Sequence, residues 1–181
     1  MKSMEVFEVI AKRHSYRGPY LDRNIPREDL RLIVQAGIQA PSGTNAQTTE
    51  FVIVDDAELV AQIAALHPTN TAMRQAKAYI ACLIDLRPEA VYEGYSFQVE
   101  DCAAAAENML LAITALGYAT VWVDGWLRIK SNGKKIGEML GIPQNKLVRI
   151  ILPLGVPAEH WAQREKKQFE QRAWYNRYQT G

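Results

Sequence analysis

The chain has 181 residues, 48% of them hydrophobic and 23% charged, and a formal net charge of +1. That balance predicts one globular domain with a sizeable core over residues 1–181. It excludes a chain that gathers nucleic acid through its overall field, so any bound anion must be held by local Lys and Arg. Residues 1–10 alternate acidic and apolar side chains and lack the continuous apolar stretch of a secretory leader. No apolar run approaches the ~20 residues of a membrane span, and a cytoplasmic protein is expected.

In chain order, Met4, Phe7, Val9, Ile10 and Ala11 give a short amphipathic helix ending before Arg13. Pro26, followed by Glu28 and Asp29, reads as a helix start, because proline loses nothing in the first turn and carboxylates suit the positive end of the helix dipole. That helix runs to about Ala40 and breaks at Pro41–Ser42–Gly43. A strand is expected over 50–54, a helix from Asp56 to about Leu66, and a second strand over 78–86. Residues 95–116 form the longest helical pattern, apolar nearly all round and therefore central, with Gly117 as its C-cap. A strand over 119–123, a short helix over 133–140 and a strand over 147–154 follow. After Pro157 the composition turns polar and aromatic, which reads as an arm with a short helix near 165–175. The expected class is α+β, a mixed sheet with helices on both faces, with a core over 1–156 and an arm over 157–181.

Cys82 and Cys102 lie in apolar surroundings without metal-ligand spacing, so two buried thiols and no metal site are expected. The three histidines, His14, His67 and His160, sit in unlike settings and suggest no catalytic dyad or triad.

Four segments carry chemistry. Lys12 to Arg17 places two guanidiniums four residues apart with a hydroxyl between them, a set able to converge on a phosphate; a solvated basic helix end explains the same residues. The loop APSGTNAQ, from Ala40 to Gln47, lets backbone amides approach a ligand, although it lacks the Lys of a phosphate-cradling P-loop and could be a plain connection. The strand end at Asp124–Gly125 stands where α/β sheets commonly bind ligands, while the flanking Trp122 and Trp126 read as core. Arg164, Lys166 and Lys167 either complete a phosphate site or are solvated charges.

Together these segments resemble the nitroreductase family of FMN-dependent oxidoreductases. FEVIAKRHSYR resembles the family's helix ending in R-x-S-x-[RK]. APSGTNAQ resembles its A-P-S-x-x-N-x-Q loop, DCAAAAENMLLAITALGYATVWVDG its central helix and following strand, and LPLGVPAE its closing stretch. The resemblance implies a homodimer with the C-terminal arm exchanged between subunits. It implies FMN as cofactor, with NADH or NADPH as a transient donor. Arg13, Ser15 and Arg17 would then contact FMN, with His14 alongside through its backbone. Pro41, Ser42, Gly43, Asn45 and Gln47 would come from the other subunit. Asp124 and Gly125 would offer amides to the flavin N5 and O4, and Arg164 and Lys166 would close on the phosphate, with Lys167 able to replace one. The implied reaction passes a hydride through flavin N5 to a small-molecule acceptor such as a nitroaromatic or quinone. No side-chain nucleophile is needed, because the cofactor carries the chemistry. The chain is short for the family, leaving residues 86–98 as its candidate lid, and Thr48–Thr49 replace a Pro-Trp common there. Other readings of the same site are a flavin-binding sensor or carrier without turnover, and a dehydrogenase or dehalogenase. Neither nucleic acid nor a membrane is an expected partner.

Overall fold

The computed structural model describes residues 5–179. Met4, expected as the first apolar position of the opening helix, lies outside them with the three residues before it. Helix α1 (Val6–Lys12) and helix α2 (Arg27–Ile38) precede strand β1 (Glu50–Val54). Helices α3 (Ala57–Leu66) and α4 (Thr71–Gln75) lead to β2 (Ala78–Asp85), and α5 (Gln98–Ala115) leads to β3 (Ala119–Thr120). Helices α6 (Gly125–Arg128) and α7 (Asn132–Met139) precede β4 (Lys146–Gly155).

The sheet order is β1-β2-β4-β3, and each neighbouring pair is antiparallel. The α+β class is therefore as expected, but the mixed sheet is corrected: helices intervene between strands, yet no crossover places two of these four strands side by side in parallel. Strand β2 is buried on both faces, as its unbroken apolar run requires. Ala78, Ile80, Cys82 and Ile84 pack with Leu30 and Ile33 of α2 and Met109 and Ile113 of α5. Tyr79, Ala81 and Leu83 pack on the opposite face with Ile63, Met73 and Ile136. Both cysteines are free and fully buried.

Local signals explain several boundaries. Asp56 caps α3 by accepting from the Glu58 and Leu59 amides at 3.1 and 3.0 Å. Gly117, at φ 82°, ends α5 as expected. Its N–H meets the Thr114 carbonyl at 3.1 Å while the Tyr118 N–H reaches Ile113 at 3.0 Å, the two bonds of a Schellman cap. The pairing of β2 with β4 shifts between Cys82 and Leu83: Cys82 faces Ile150 and Leu83 faces Val148, leaving Arg149 as a bulge without a partner on β2.

Several elements differ from expectation, among them the short helix α6, which stands where the sequence reading only ends a strand. Strand β3 is shorter than 119–123, although Val123 still bridges Ile151. Residues 165–175 hold only a 3-10 turn at Phe169–Gln171, and the aromatic side chains Phe169 and Tyr175 stay exposed with no core surface beneath them to stabilise a longer helix. Helix α4 was not foreseen; Asn70 caps it, accepting from the Met73 N–H at 3.2 Å.

Residues 18–22 run beside 155–158, joined by the Leu21 N–H to Val156 (2.9 Å) and the Ala158 N–H to Pro19 (3.0 Å). Gly155 permits this approach, since an added Cβ would lie 2.3 Å from Tyr20 Cγ and 2.5 Å from its Cδ1. Gly155→Ala is expected to destabilise the protein by at least the roughly 1–3 kcal/mol of an overpacked core, and thermal unfolding at neutral pH checks it.

Candidate functional site

The end of α1 is followed by an extended segment in which burial alternates. Tyr16 is fully buried, packing on Tyr20 and Trp161 at ring-centroid distances of 5.3 and 5.4 Å. Its N–H bonds to the Thr120 carbonyl at 2.8 Å, and its hydroxyl donates to the Pro19 carbonyl. This anchor turns the flanking Ser15 and Arg17 toward a cleft. The arm forms the other wall: Gln163 Nε2 donates to the Arg13 carbonyl at 2.6 Å and the Ile10 carbonyl at 3.3 Å.

The cleft is lined by Arg13, His14, Ser15, Arg17, Trp161, Ala162, Gln163, Arg164 and Lys166. Four cations and no carboxylate stand in its wall. Arg13 pairs with Glu107 of α5 at 3.3 Å, whereas Arg17, Arg164 and Lys166 make no ion pair among the described residues. His14 Nδ1 lies 2.9 Å from the Lys12 carbonyl, which fixes that nitrogen as a donor and leaves Nε2 buried with no partner among the described residues. Cations without carboxylate partners lining one cleft suit a bound anion. Arg164 and Lys166 line this cleft and Lys167 does not.

The remaining candidates lie elsewhere in the chain. Pro41, Ser42 and Gln47 border a small pocket with Thr48, Thr49, Phe51 and Asp101, and Pro41, Ser42 and Gly43 border a shallow one with Phe97. Neither shares a residue with the cationic cleft. Asn45 is exposed. Asp124 and Gly125 stand at the start of α6, where no atom lies within 4 Å of the Cβ that Gly125 lacks. The Asp124 carboxylate accepts from Arg128 at 2.8 and 2.9 Å and from Arg149. Burial works against its charge, but the Arg128 hydrogen bond and the Arg149 charge outweigh it and hold its pKa below the usual value. Trp122 and Trp126 pack against the two core clusters, as expected, and Trp126 also lies on His67 at 4.5 Å.

Two polar residues that the sequence did not single out belong to these constellations. Arg149 is aimed at Asp124 by the β4 bulge, which no local pattern announces. Asp101 is a buried carboxylate whose oxygens hold the 43–48 loop; its place in an acidic first helical turn disguised it as a dipole-complementing residue.

The nitroreductase family model matches residues 10–82 and 64–156. A protein of Archaeoglobus fulgidus, provisionally named NADH dehydrogenase/NAD(P)H nitroreductase, is 35% identical over 155 residues, 86% of this chain and 87% of its own length. The chain belongs to the nitroreductase family. A Bacteroides thetaiotaomicron structure carrying the same provisional name has a TM-score of 0.81 at 29% identity, covering 96% of this chain and 98% of that one. An FMN-dependent nitroreductase of Clostridium difficile has a TM-score of 0.78 at 25% identity, covering 94% and 98%. Among the described residues no helix is long and apolar enough to cross a membrane, and no three His, Cys, Asp or Glu residues cluster to hold a metal.

Proposed function

We propose that the chain is an FMN-dependent NAD(P)H oxidoreductase that reduces a small electron acceptor, such as a nitroaromatic or quinone, by a ping-pong reaction. The observation that carries this reading is the cleft lined by four cations and no carboxylate. Its donor set fits the dianionic phosphate of FMN: planar guanidiniums give charge-assisted, often bidentate bonds, and Ser15 adds a hydroxyl. When bound, FMN supplies hydride transfer at N5 between NAD(P)H and the acceptor. Arg13, Arg164 and Lys166 bind the phosphate. Arg17 places positive charge near the pyrimidine edge, where reduction builds negative charge. Asp124 and Gly125 would offer backbone N–H groups to the flavin ring, and Ser15, with His14 through its backbone, would hold the ribityl chain. Names of relatives support the same chemistry, which the Clostridium difficile protein states as FMN dependence.

The loop residues Pro41, Ser42, Gly43, Asn45 and Gln47 complete the site from a second subunit. Two features support that homodimer. Within one chain the loop and the cationic cleft share no lining residue. The single domain also carries an arm, described from 157 to 179, that exposes aromatic surface, with Tyr175 81% and Phe169 55% accessible, and α1 leaves Phe7 82% accessible. Burying these against a partner, with the arms exchanged, accounts for both. The protein acts in the cytoplasm, on neither nucleic acid nor membranes.

Steady-state oxidation of NADH and of NADPH against a quinone and a nitrofuran tests the reading. Parallel double-reciprocal lines are expected; intersecting lines would rule out the ping-pong order, and no oxidation with any acceptor would leave a flavin carrier.

A further inference from the structure

We propose that Asp101 is the positioning residue that holds the 43–48 loop in the backbone conformation that lines the cofactor; the cofactor half of this rests on the FMN reading above. Thr44, Asn45 and Gln47 have φ of 50°, 60° and 50°. All three carry side chains in the left-handed region, and Thr44 is β-branched, the least suited to it. Such a run persists only where its surroundings over-determine it. One bracket is local: Ser42 Oγ accepts the Gln47 N–H at 3.0 Å. The other is Asp101, whose Oδ1 accepts the Gly43 N–H at 2.9 Å and whose Oδ2 accepts the Thr48 hydroxyl at 3.1 Å. One rigid carboxylate therefore sets the distance between the two ends of the strained segment. Gly43 is also pressed against Phe97, where an added Cβ would stand 2.5 Å from Cδ2, so the start of α5 grips the loop twice.

Asp101 is 6% accessible and has no cation partner among the described residues. A buried carboxylate without a counter-ion is a poor device for stability alone. Gln98, one helical turn earlier and 5% accessible, is a matched contrast. It also makes two buried hydrogen bonds, accepting the Asp85 N–H at 2.9 Å and donating to the Asp85 carbonyl at 2.8 Å, but it secures the end of β2 and not the loop.

The test compares Asp101→Ala, Asp101→Asn and Gln98→Ala in two measurements: amide hydrogen exchange of residues 43–48 in the apoprotein, and FMN affinity on reconstitution. Asp101→Ala should speed exchange across 43–48 and weaken FMN binding at least about tenfold. Asp101→Asn keeps an acceptor for Gly43 and can donate to Thr48, so it should stay within about threefold of wild type. Gln98→Ala should lower the melting temperature while leaving loop exchange and FMN affinity near wild type. Wild-type loop exchange in Asp101→Ala, or an equal loss of FMN affinity in Gln98→Ala, would overturn the proposal. Should Asp101→Ala fail to fold, Thr48→Val removes one bond of the bracket alone and is read by the same two measurements. If wild-type protein takes up no FMN, the cofactor reading fails instead, and exchange still decides whether Asp101 holds the loop.

Discussion

Arg13→Ala is expected to weaken FMN binding roughly ten- to a hundred-fold while leaving the fold nearly unchanged. The affinity loss follows from removing one charge-assisted contact to the phosphate, about 1.5–3 kcal/mol. The small stability effect follows from its protein partner: Arg13 pairs at 3.3 Å with Glu107, which is 49% accessible, and half-exposed pairs contribute at most about 1 kcal/mol. The segment is anchored independently by buried Tyr16 and by Gln163, which bonds to the backbone of Arg13 and not to its side chain. Titrating apoprotein with FMN, followed by quenching of flavin fluorescence, measures the loss. Glu107→Gln is the useful counterpart. It frees Arg13 from its only carboxylate partner among the described residues and should leave FMN affinity equal or higher. Unchanged affinity in Arg13→Ala would mean that the phosphate lies elsewhere.

Asp124→Ala should produce the largest stability loss among the site residues. Its carboxylate is bonded by Arg128 and by Arg149, and Arg149 is only 16% accessible because the bulge in β4 turns it inward. Removing one partner of a buried pair leaves the other charge uncompensated, at a cost of roughly 3–5 kcal/mol. The 22% accessibility of Asp124 places this case toward the lower end of that range. Adding Arg149→Met should recover much of the loss, because the charge then left without a partner, Arg128, is 59% accessible and stays hydrated; additive effects would show that the two residues are not coupled. The pKa of Asp124 adds a pH dependence. It is lowered in the folded state, so the unfolded chain binds the proton more readily. The stabilisation is therefore fully present above the ordinary carboxylate pKa of about 4 and is lost as pH falls through the lower, folded value. Melting temperature should fall more steeply below about pH 4 in wild type than in Asp124→Asn. The depressed carboxylates Asp22 and Asp55, paired with Lys77 and Arg27, remain in both proteins and cancel in the comparison.

Much of this fold is legible residue by residue. The apolar run of β2, the alanine-rich face of α5, the Asp56 cap and the Gly117 cap are local signals, and each produced the element it announces. What the sequence hides is non-local. The direction of strand pairing depends on connections that periodicity does not record, so the all-antiparallel sheet was not foreseen. The site divides in the same way. The Arg13 to Arg17 segment and the arm cations are visible as charge, and the structure brings them into one cleft. Asp101 and Arg149 read as an ordinary acidic first turn and an ordinary strand residue. Their roles arise only when α5 meets the 43–48 loop and when a bulge re-aims β4.

The most direct measurement is a visible absorption spectrum of the purified protein, before and after anaerobic addition of NADH or NADPH. Oxidised-flavin bands that bleach with a nicotinamide are predicted, and would establish cofactor and donor together. A protein that shows no flavin, and takes up none when FMN is added, would contradict the account.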